Sequence, residues 1–154
     1  MKKIASFTID HTILGKGMYT SRIDGDCITY DLRFRLANRE EVMENGAIHT
    51  LEHLFATFVR NSKYSDSIIY FGPMGCRTGF YFITRDTVSP KEAIALTRDA
   101  ISFCASFEGE VPGVSEAECG NYRDHDLETA KKEAAEYIKV LENWTVEDLV
   151  YPVK

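Results

Sequence analysis

Two histidines and a glutamate lie close together in the segment HTLEHL (49–54). Residues at i and i+4 of a helix differ by about 40° around its axis, so His49 and His53 share a face. Glu52 falls on the same side of that helix. A single histidine there would be typical of a solvated helix face. Two imidazoles on adjacent turns can bind one metal ion, however, and a neighbouring carboxylate can act as a base without being a ligand. The spacing therefore favours a metal site.

Two histidines hold a metal weakly, so a third ligand must come from elsewhere in the chain. The open candidates are thiolates, carboxylates and the two other histidines, His11 and His125. Cys119 is favoured because it lies in a polar loop, ECGNYRDHDL (118–127), just ahead of a helix. Cys27 in a strand and Cys104 on an apolar helix face are typical of core residues. Two histidines and one cysteine leave a fourth position open, which is typical of a catalytic metal.

Cys76 lies between two glycines in GPMGCRTGFY (72–81), a turn that joins two predicted strands. A turn framed by glycines lets backbone approach a ligand closely. The neighbouring Arg77 or a metal dication would favour the thiolate form of this cysteine. A buried turn cysteine with no chemical role is the alternative.

The rest of the sequence predicts the elements that position these residues. Partial alternation of β-branched and aromatic residues predicts strands at 4–9, 18–23, 27–34, 67–71 and 79–84. Asp24-Gly25-Asp26 predicts a hairpin turn. Apolar residues at spacings of three and four predict helices from Asn45, from Ser89-Pro90 to Phe107, and from Leu127 to Glu142. Ser89 is a candidate N-cap with Glu92 completing a capping box, and Thr145–Asp148 could cap a final turn.

The order of strands and helices, with an early hairpin, predicts an α+β protein with an antiparallel sheet and helices packed mainly on one face. The length predicts a single domain over residues 1–154. The chain has 154 residues, 44% of them apolar, enough for one core. The net charge of −6 disfavours nucleic acid or an anionic membrane as partner. No apolar stretch is long enough for a membrane span, and the first residues do not form a signal peptide. We therefore expect a cytoplasmic protein with reduced thiols.

Three motifs together resemble the signatures of the S-ribosylhomocysteine lyase (LuxS) family of bacterial quorum sensing. They are HTLEHL (49–54), GPMGCRTGFY (72–81) and ECGNYRDHDL (118–127). The segments SFTIDH (6–11) and DLRF (31–34) resemble the opening of the same family. The order, spacing and length all fit, so the resemblance covers nearly the whole chain.

The resemblance implies a metal site and an acid/base pair. His49, His53 and Cys119 match the family's metal ligands, with water as the fourth. The family's native metal is ferrous iron, and zinc or cobalt can occupy the site, one divalent ion per subunit. Glu52 and Cys76 match the two acid/base residues.

The resemblance also implies the substrate and the reaction. Ser6, His11 and Arg33 match positions that contact the ribose, and Arg60 matches one near the homocysteine carboxylate. The implied reaction cleaves S-ribosylhomocysteine to homocysteine and 4,5-dihydroxy-2,3-pentanedione, the autoinducer-2 precursor, by carbonyl migration and β-elimination. The implied assembly is a homodimer with each active site at the subunit interface, and no nicotinamide, flavin or pyridoxal is needed.

The chain departs from the family pattern just before the Cys76 turn. Tyr70 and Gly72 occupy positions where many members carry an acidic residue and a serine, so a carboxylate that could hold the substrate's ammonium is missing there. Two other interpretations stay open. The His49-x-x-Glu52-His53 spacing is also the helix motif of inverted zinc peptidases, and a non-enzymatic domain could hold a metal with four protein ligands.

Overall fold

The computed structural model describes residues 1–153 and contains one sheet and three α-helices within that range. The strands pair antiparallel in the order β1-β2-β4-β3. The strands and helices are, in chain order, β1 Gly17–Asp24, β2 Cys27–Arg33, α1 Asn45–Arg60, β3 Ile68–Pro73, β4 Gly79–Arg85, α2 Pro90–Ser106 and α3 Leu127–Leu141. Short 3-10 segments occur at Ala5–Phe7, Ser65–Ser67 and Val146–Leu149. The predicted α+β class is confirmed.

The core lies between one face of the sheet and the helices. Residues along a strand alternate between the two faces. Tyr30 and Leu32 of β2, paired with Phe82 and Phe80 of β4, point into the core and are fully buried. Leu51, Leu54 and Phe55 of α1 belong to the same core. This packing directs the opposite face of α1, with His49 and His53, away from the sheet.

Local signals place the helix ends where the sequence predicts them. Ser89 accepts a hydrogen bond from the Glu92 backbone N–H (3.1 Å), and the Glu92 carboxylate accepts one from the Ser89 N–H (3.1 Å). These bonds satisfy backbone donors that a helix start leaves unpaired. Thr145 and Asp148 form a second capping box at the Val146–Leu149 turn. No helix among the described residues is long and apolar enough to cross a membrane.

The strand predicted over 4–9 is wrong. Ala5–Phe7 forms a 3-10 turn, closed by backbone hydrogen bonds from Phe7 to Ile4 and from Thr8 to Ala5. Ile4 and Phe7 are 57% and 69% exposed. The aromatic and β-branched residues in this segment are typical of strands, but a strand also needs a neighbour to hydrogen-bond, and this segment pairs with none of the four described strands.

Candidate metal centre

Helix α1 presents its two histidines on one face, next to the segment that precedes α3. The His49 and His53 ring centroids are 4.7 Å apart. The backbone comes close at Gly46, where a Cβ would lie only 3.1 Å from the Asp126 Cβ. The Asp126 N–H donates to the Gly46 carbonyl at 3.2 Å. This close approach holds the segment 119–126 against the first turn of α1.

Backbone carbonyls set the tautomer of both histidines. The His49 Nδ1 lies 2.8 Å from the Asp124 carbonyl, and the His53 Nδ1 lies 2.8 Å from the Pro112 carbonyl. A carbonyl can only accept, so each Nδ1 carries the proton and each Nε2 keeps a free lone pair. Gly113, with φ of +73°, makes the second contact feasible, because a Cβ there would press on the His53 ring at 3.3 Å. This is the outer-shell arrangement that orients metal-binding imidazoles.

The structure brings the three expected ligands together. The Cys119 Sγ lies 3.4 Å from the His49 Nε2 and 3.9 Å from the His53 Nε2. Bonds of about 2.0 Å to nitrogen and 2.3 Å to sulfur at tetrahedral angles separate ligand atoms by about 3.5 Å. These side chains therefore fit a divalent metal without large movement.

A fourth side chain, His125, lies in the same cluster. The ligand atoms of His49, His53, Cys119 and His125 all fall within 4.8 Å of one another. The His125 ring stacks on His49 with centroids 3.9 Å apart. Burial and the nearby His49 and His53 lower the pKa of His125 to about 4, so it is neutral at pH 7. His125 is one of the candidate ligands named from the sequence, and it lies six residues after Cys119 in the same motif.

The two expected acid/base residues occupy different surroundings. Glu52 is half-buried on α1, and its carboxylate has no hydrogen-bond or ion-pair partner among residues 1–153. Cys76 is exposed on the turn between β3 and β4. Its Sγ lies 3.0 Å from the Thr78 Oγ1. Neither residue belongs to the cluster of potential ligands.

Arg33 is connected to Cys76 through Thr78. The Arg33 Nη1 donates to the Thr78 Oγ1 at 2.8 Å, so the Thr78 hydroxyl is free to donate to the Cys76 sulfur. Arg33 is only 2% exposed and makes two bonds to Asp31, of 3.1 and 2.6 Å. Tyr151, from the C-terminal segment, donates to the same carboxylate at 2.6 Å. A buried cation and a hydroxyl group therefore lie directly behind the Cys76 sulfur.

The other residues expected to contact the substrate are more exposed to solvent than Arg33. Ser6 is half-buried and lines a cavity of about 290 Å³ together with Tyr70 and Tyr81. The His11 Nδ1 lies 2.9 Å from the Ile9 carbonyl. Arg60 is exposed at the end of α1 and donates to the Ile69 carbonyl at 3.1 Å.

The departures at Tyr70 and Gly72 form a structural pair. A Cβ placed on Gly72 would collide with the Tyr70 phenol. The tyrosine ring therefore fills the space that a side chain at position 72 would need. Glycine at position 72 therefore accommodates the ring of Tyr70.

A family model for S-ribosylhomocysteinase (LuxS) matches residues 4–148 of this chain. The chain belongs to the LuxS family. The match includes all three motifs that carry the metal cluster, Glu52 and Cys76.

Curated relatives agree with the family match over their full length. The chain is 47% identical to an S-ribosylhomocysteine lyase of Borrelia garinii subsp. bavariensis, over 99% of this chain and 100% of the relative. It is 47% identical to the enzyme of that name from Phocaeicola vulgatus, over 100% and 99%. It is 48% identical to the one from Desulfotalea psychrophila, over 99% of both.

The peptidase interpretation of the His49-x-x-Glu52-His53 motif is not supported. The third potential ligand of the cluster is the sulfur of Cys119, whereas inverted peptidases use a glutamate in that place. The family match is to a carbon–sulfur lyase.

Proposed function

We propose that this chain is an S-ribosylhomocysteine lyase that releases homocysteine and 4,5-dihydroxy-2,3-pentanedione. One observation carries the proposal. In this chain of the LuxS family, the Nε2 atoms of His49 and His53 and the Sγ of Cys119 lie close enough together to bind one metal ion. The substrate is a small molecule. We further propose that residues 1–154 form a single catalytic domain.

The proposed cofactor is one divalent metal per subunit, held by His49, His53 and Cys119. Imidazole and thiolate ligands suit iron, zinc and cobalt, and ferrous iron is proposed from the family resemblance. When bound, the metal supplies Lewis acidity that makes carbon–hydrogen bonds beside the sugar carbonyl easier to deprotonate.

The protein's own side chains move protons on the sugar until homocysteine can leave as a thiolate. The carbonyl migrates from carbon one to carbon two and then to carbon three of the sugar. The first shift takes a proton from carbon two and returns one to carbon one, and the second takes one from carbon three and returns one to carbon two. With the ketone at carbon three, loss of the proton on carbon four expels homocysteine thiolate from carbon five and leaves an enol. The enol loses its hydroxyl proton and gains a proton at carbon five, which gives the pentanedione. Glu52 and Cys76 are the proposed proton acceptors and donors.

The surroundings of these two residues support that assignment. Glu52 lies beside His53 on α1, and its carboxylate is not occupied by a hydrogen bond or salt bridge among the described residues. Cys76 is exposed, and its sulfur faces the Thr78 hydroxyl at 3.0 Å. Ser6, His11 and Arg33 are the proposed contacts to the ribose. Arg60, an exposed cation, is proposed for the homocysteine carboxylate.

We expect Glu52→Gln to retain the metal but to stall the reaction at an early sugar isomer. An amide cannot take up the proton that a carboxylate accepts, so turnover should fall by about 100- to 10,000-fold. Carbon-13 NMR of the reaction mixture measures the accumulated isomer, and elemental analysis measures the metal. Glu136→Gln, an exposed carboxylate on α3, is the matched control. Unimpaired turnover of Glu52→Gln would exclude the assignment.

The proposed assembly is a homodimer with the active sites at the interface. The sheet face opposite the helices carries Tyr70, Tyr81 and Ile83 around the cavity that Ser6 lines. Tyr70 is 51% exposed. Apolar side chains left uncovered on a sheet face are typical of an interaction surface. We expect light scattering to give twice the 17.5 kDa chain mass, whereas a monomer that turns over substrate would contradict the assembly.

The cellular role is proposed from the product. The pentanedione is the precursor of autoinducer-2, so the enzyme would serve quorum sensing as well as homocysteine recovery. The cytoplasm is the proposed location, because the free sulfurs of Cys76 and Cys119 need a reducing compartment.

The test of the function is anaerobic incubation with S-ribosylhomocysteine. We expect free thiol to appear in proportion to enzyme and time, and elemental analysis to find about one divalent metal per chain. Metal-loaded protein that releases no thiol would overturn the proposal.

A further inference from the structure

His125 has a hydrogen-bonding environment unlike that of the other two histidines in the cluster. Its Nδ1 lies 3.0 Å from the hydroxyl of Thr50 rather than from a backbone carbonyl. A hydroxyl can donate or accept, so this contact alone does not set the tautomer. The tautomer decides the role of the ring. A lone pair on Nε2 would make His125 a fourth metal ligand, and a proton on Nε2 would make it a donor.

The other bonds of Thr50 settle the direction. Thr50 is fully buried, so its hydroxyl proton needs an acceptor. The Thr50 Oγ1 already accepts the Asp126 N–H at 3.0 Å. Within residues 1–153, the only acceptor in reach of the Thr50 hydroxyl proton is the Nδ1 of His125. The hydroxyl therefore donates to Nδ1, so Nδ1 carries no proton and the ring proton of His125 lies on Nε2.

The Nε2 of His125 is directed at the metal-binding cysteine. It lies 3.9 Å from the Cys119 Sγ, at the long end of contacts to sulfur. We propose that His125 is not a metal ligand but a positioning residue that donates its Nε2–H to the Cys119 thiolate, with its tautomer set by Thr50.

This arrangement has two consequences for the proposed metal site, on which the inference rests. A protonated Nε2 cannot bind the metal, so the fourth coordination position stays open for the substrate. The N–H also withdraws electron density from the thiolate, because hydrogen bonds to a ligand tune how strongly it donates to the metal.

Nitrogen-15 NMR of the zinc-loaded protein tests the tautomer directly. Long-range proton–nitrogen correlations distinguish a protonated, a lone-pair and a metal-bound ring nitrogen. We expect zinc on the Nε2 of His49 and His53, and a protonated Nε2 with an unprotonated Nδ1 for His125. Zinc on the His125 Nε2, or a proton on its Nδ1, would overturn the inference. Failure to bind zinc at about one per chain would instead count against the proposed function.

Cobalt-substituted variants supply a second readout. His125→Phe retains the ring stacking but removes the N–H. We expect it to weaken cobalt binding by about 10- to 100-fold, the size of an outer-shell effect. The thiolate-to-cobalt charge-transfer band should move to lower energy while the number of ligands stays constant. A spectrum showing one protein ligand fewer than in the wild type would assign His125 as a ligand and overturn the inference.

Thr50 variants separate the hydroxyl from the packing. Thr50→Val is nearly isosteric but cannot donate, so the fixed tautomer and the wild-type position of the charge-transfer band should be lost. Thr50→Ser keeps the hydroxyl and should restore both. Equal spectra for the valine and serine variants would contradict the role given to Thr50.

Discussion

Cys76→Ala is expected to abolish thiol release from S-ribosylhomocysteine while leaving the metal content near one per chain. Cys76 lies outside the ligand cluster, so its loss removes no donor from the metal. It does remove the sulfur that contacts the Thr78 hydroxyl. That hydroxyl in turn accepts a hydrogen bond from the buried Arg33. General acid–base groups contribute about 100- to 10,000-fold each, and one that takes part in successive proton transfers belongs at the upper end of that range.

The matched control for this variant is another cysteine. Cys27→Ala replaces a half-buried thiol at the start of β2 that donates to the carboxylate of the neighbouring Asp26 at 3.7 Å. This variant should retain turnover. Cys104 is a poor control because it is fully buried, and burial raises its pKa to about 12. A Cys76→Ala enzyme that releases thiol at the wild-type rate would exclude a chemical role for Cys76.

Cys119→Ala is expected to lose both the metal and the activity. Cys119 supplies the only sulfur atom of the cluster, and it lies 66 or more residues away from the two histidines in the chain. Without it, the two imidazoles of α1 remain as an incomplete site. We expect the metal content after dialysis to fall to a small fraction of one per chain, with thiol release at background.

Glu116→Ala provides the control for Cys119→Ala. Glu116 is an exposed residue of the same loop, so its replacement tests whether any change in this loop disturbs the site. We expect it to retain the metal and the activity. If Cys119→Ala kept a full complement of metal, the ligand set proposed here would be wrong.

Much of the fold and of the metal cluster follows from local sequence patterns. The spacing of the apolar residues places α1 and directs His49 and His53 to one side. Ser89 with Pro90 marks the start of α2 through a capping box that the structure contains. Cys119 could be chosen over the other cysteines because its loop is polar while Cys104 lies on an apolar face. These features depend on residues within one or two turns of each other.

The features that could not be predicted depend on contacts between distant segments. The segment 4–9 has the composition of a strand but lacks a strand to pair with, which no local pattern reveals. Asp31, the partner of the buried Arg33, also accepts a hydrogen bond from Tyr151, which lies 120 positions later in the chain. The proposed role of His125 depends on a single buried hydroxyl on α1. The collision between Tyr70 and position 72 appears only when both side chains are placed in space.

The most direct test of the account is a crystal structure of the metal-loaded protein, with the ion located by its anomalous scattering. We expect bonds to the Nε2 of His49, the Nε2 of His53 and the Sγ of Cys119, with a fourth position that no protein atom fills. A metal bonded to four side chains, His125 among them, would indicate the closed, non-enzymatic site, and a metal without the Cys119 sulfur would contradict the ligand set itself.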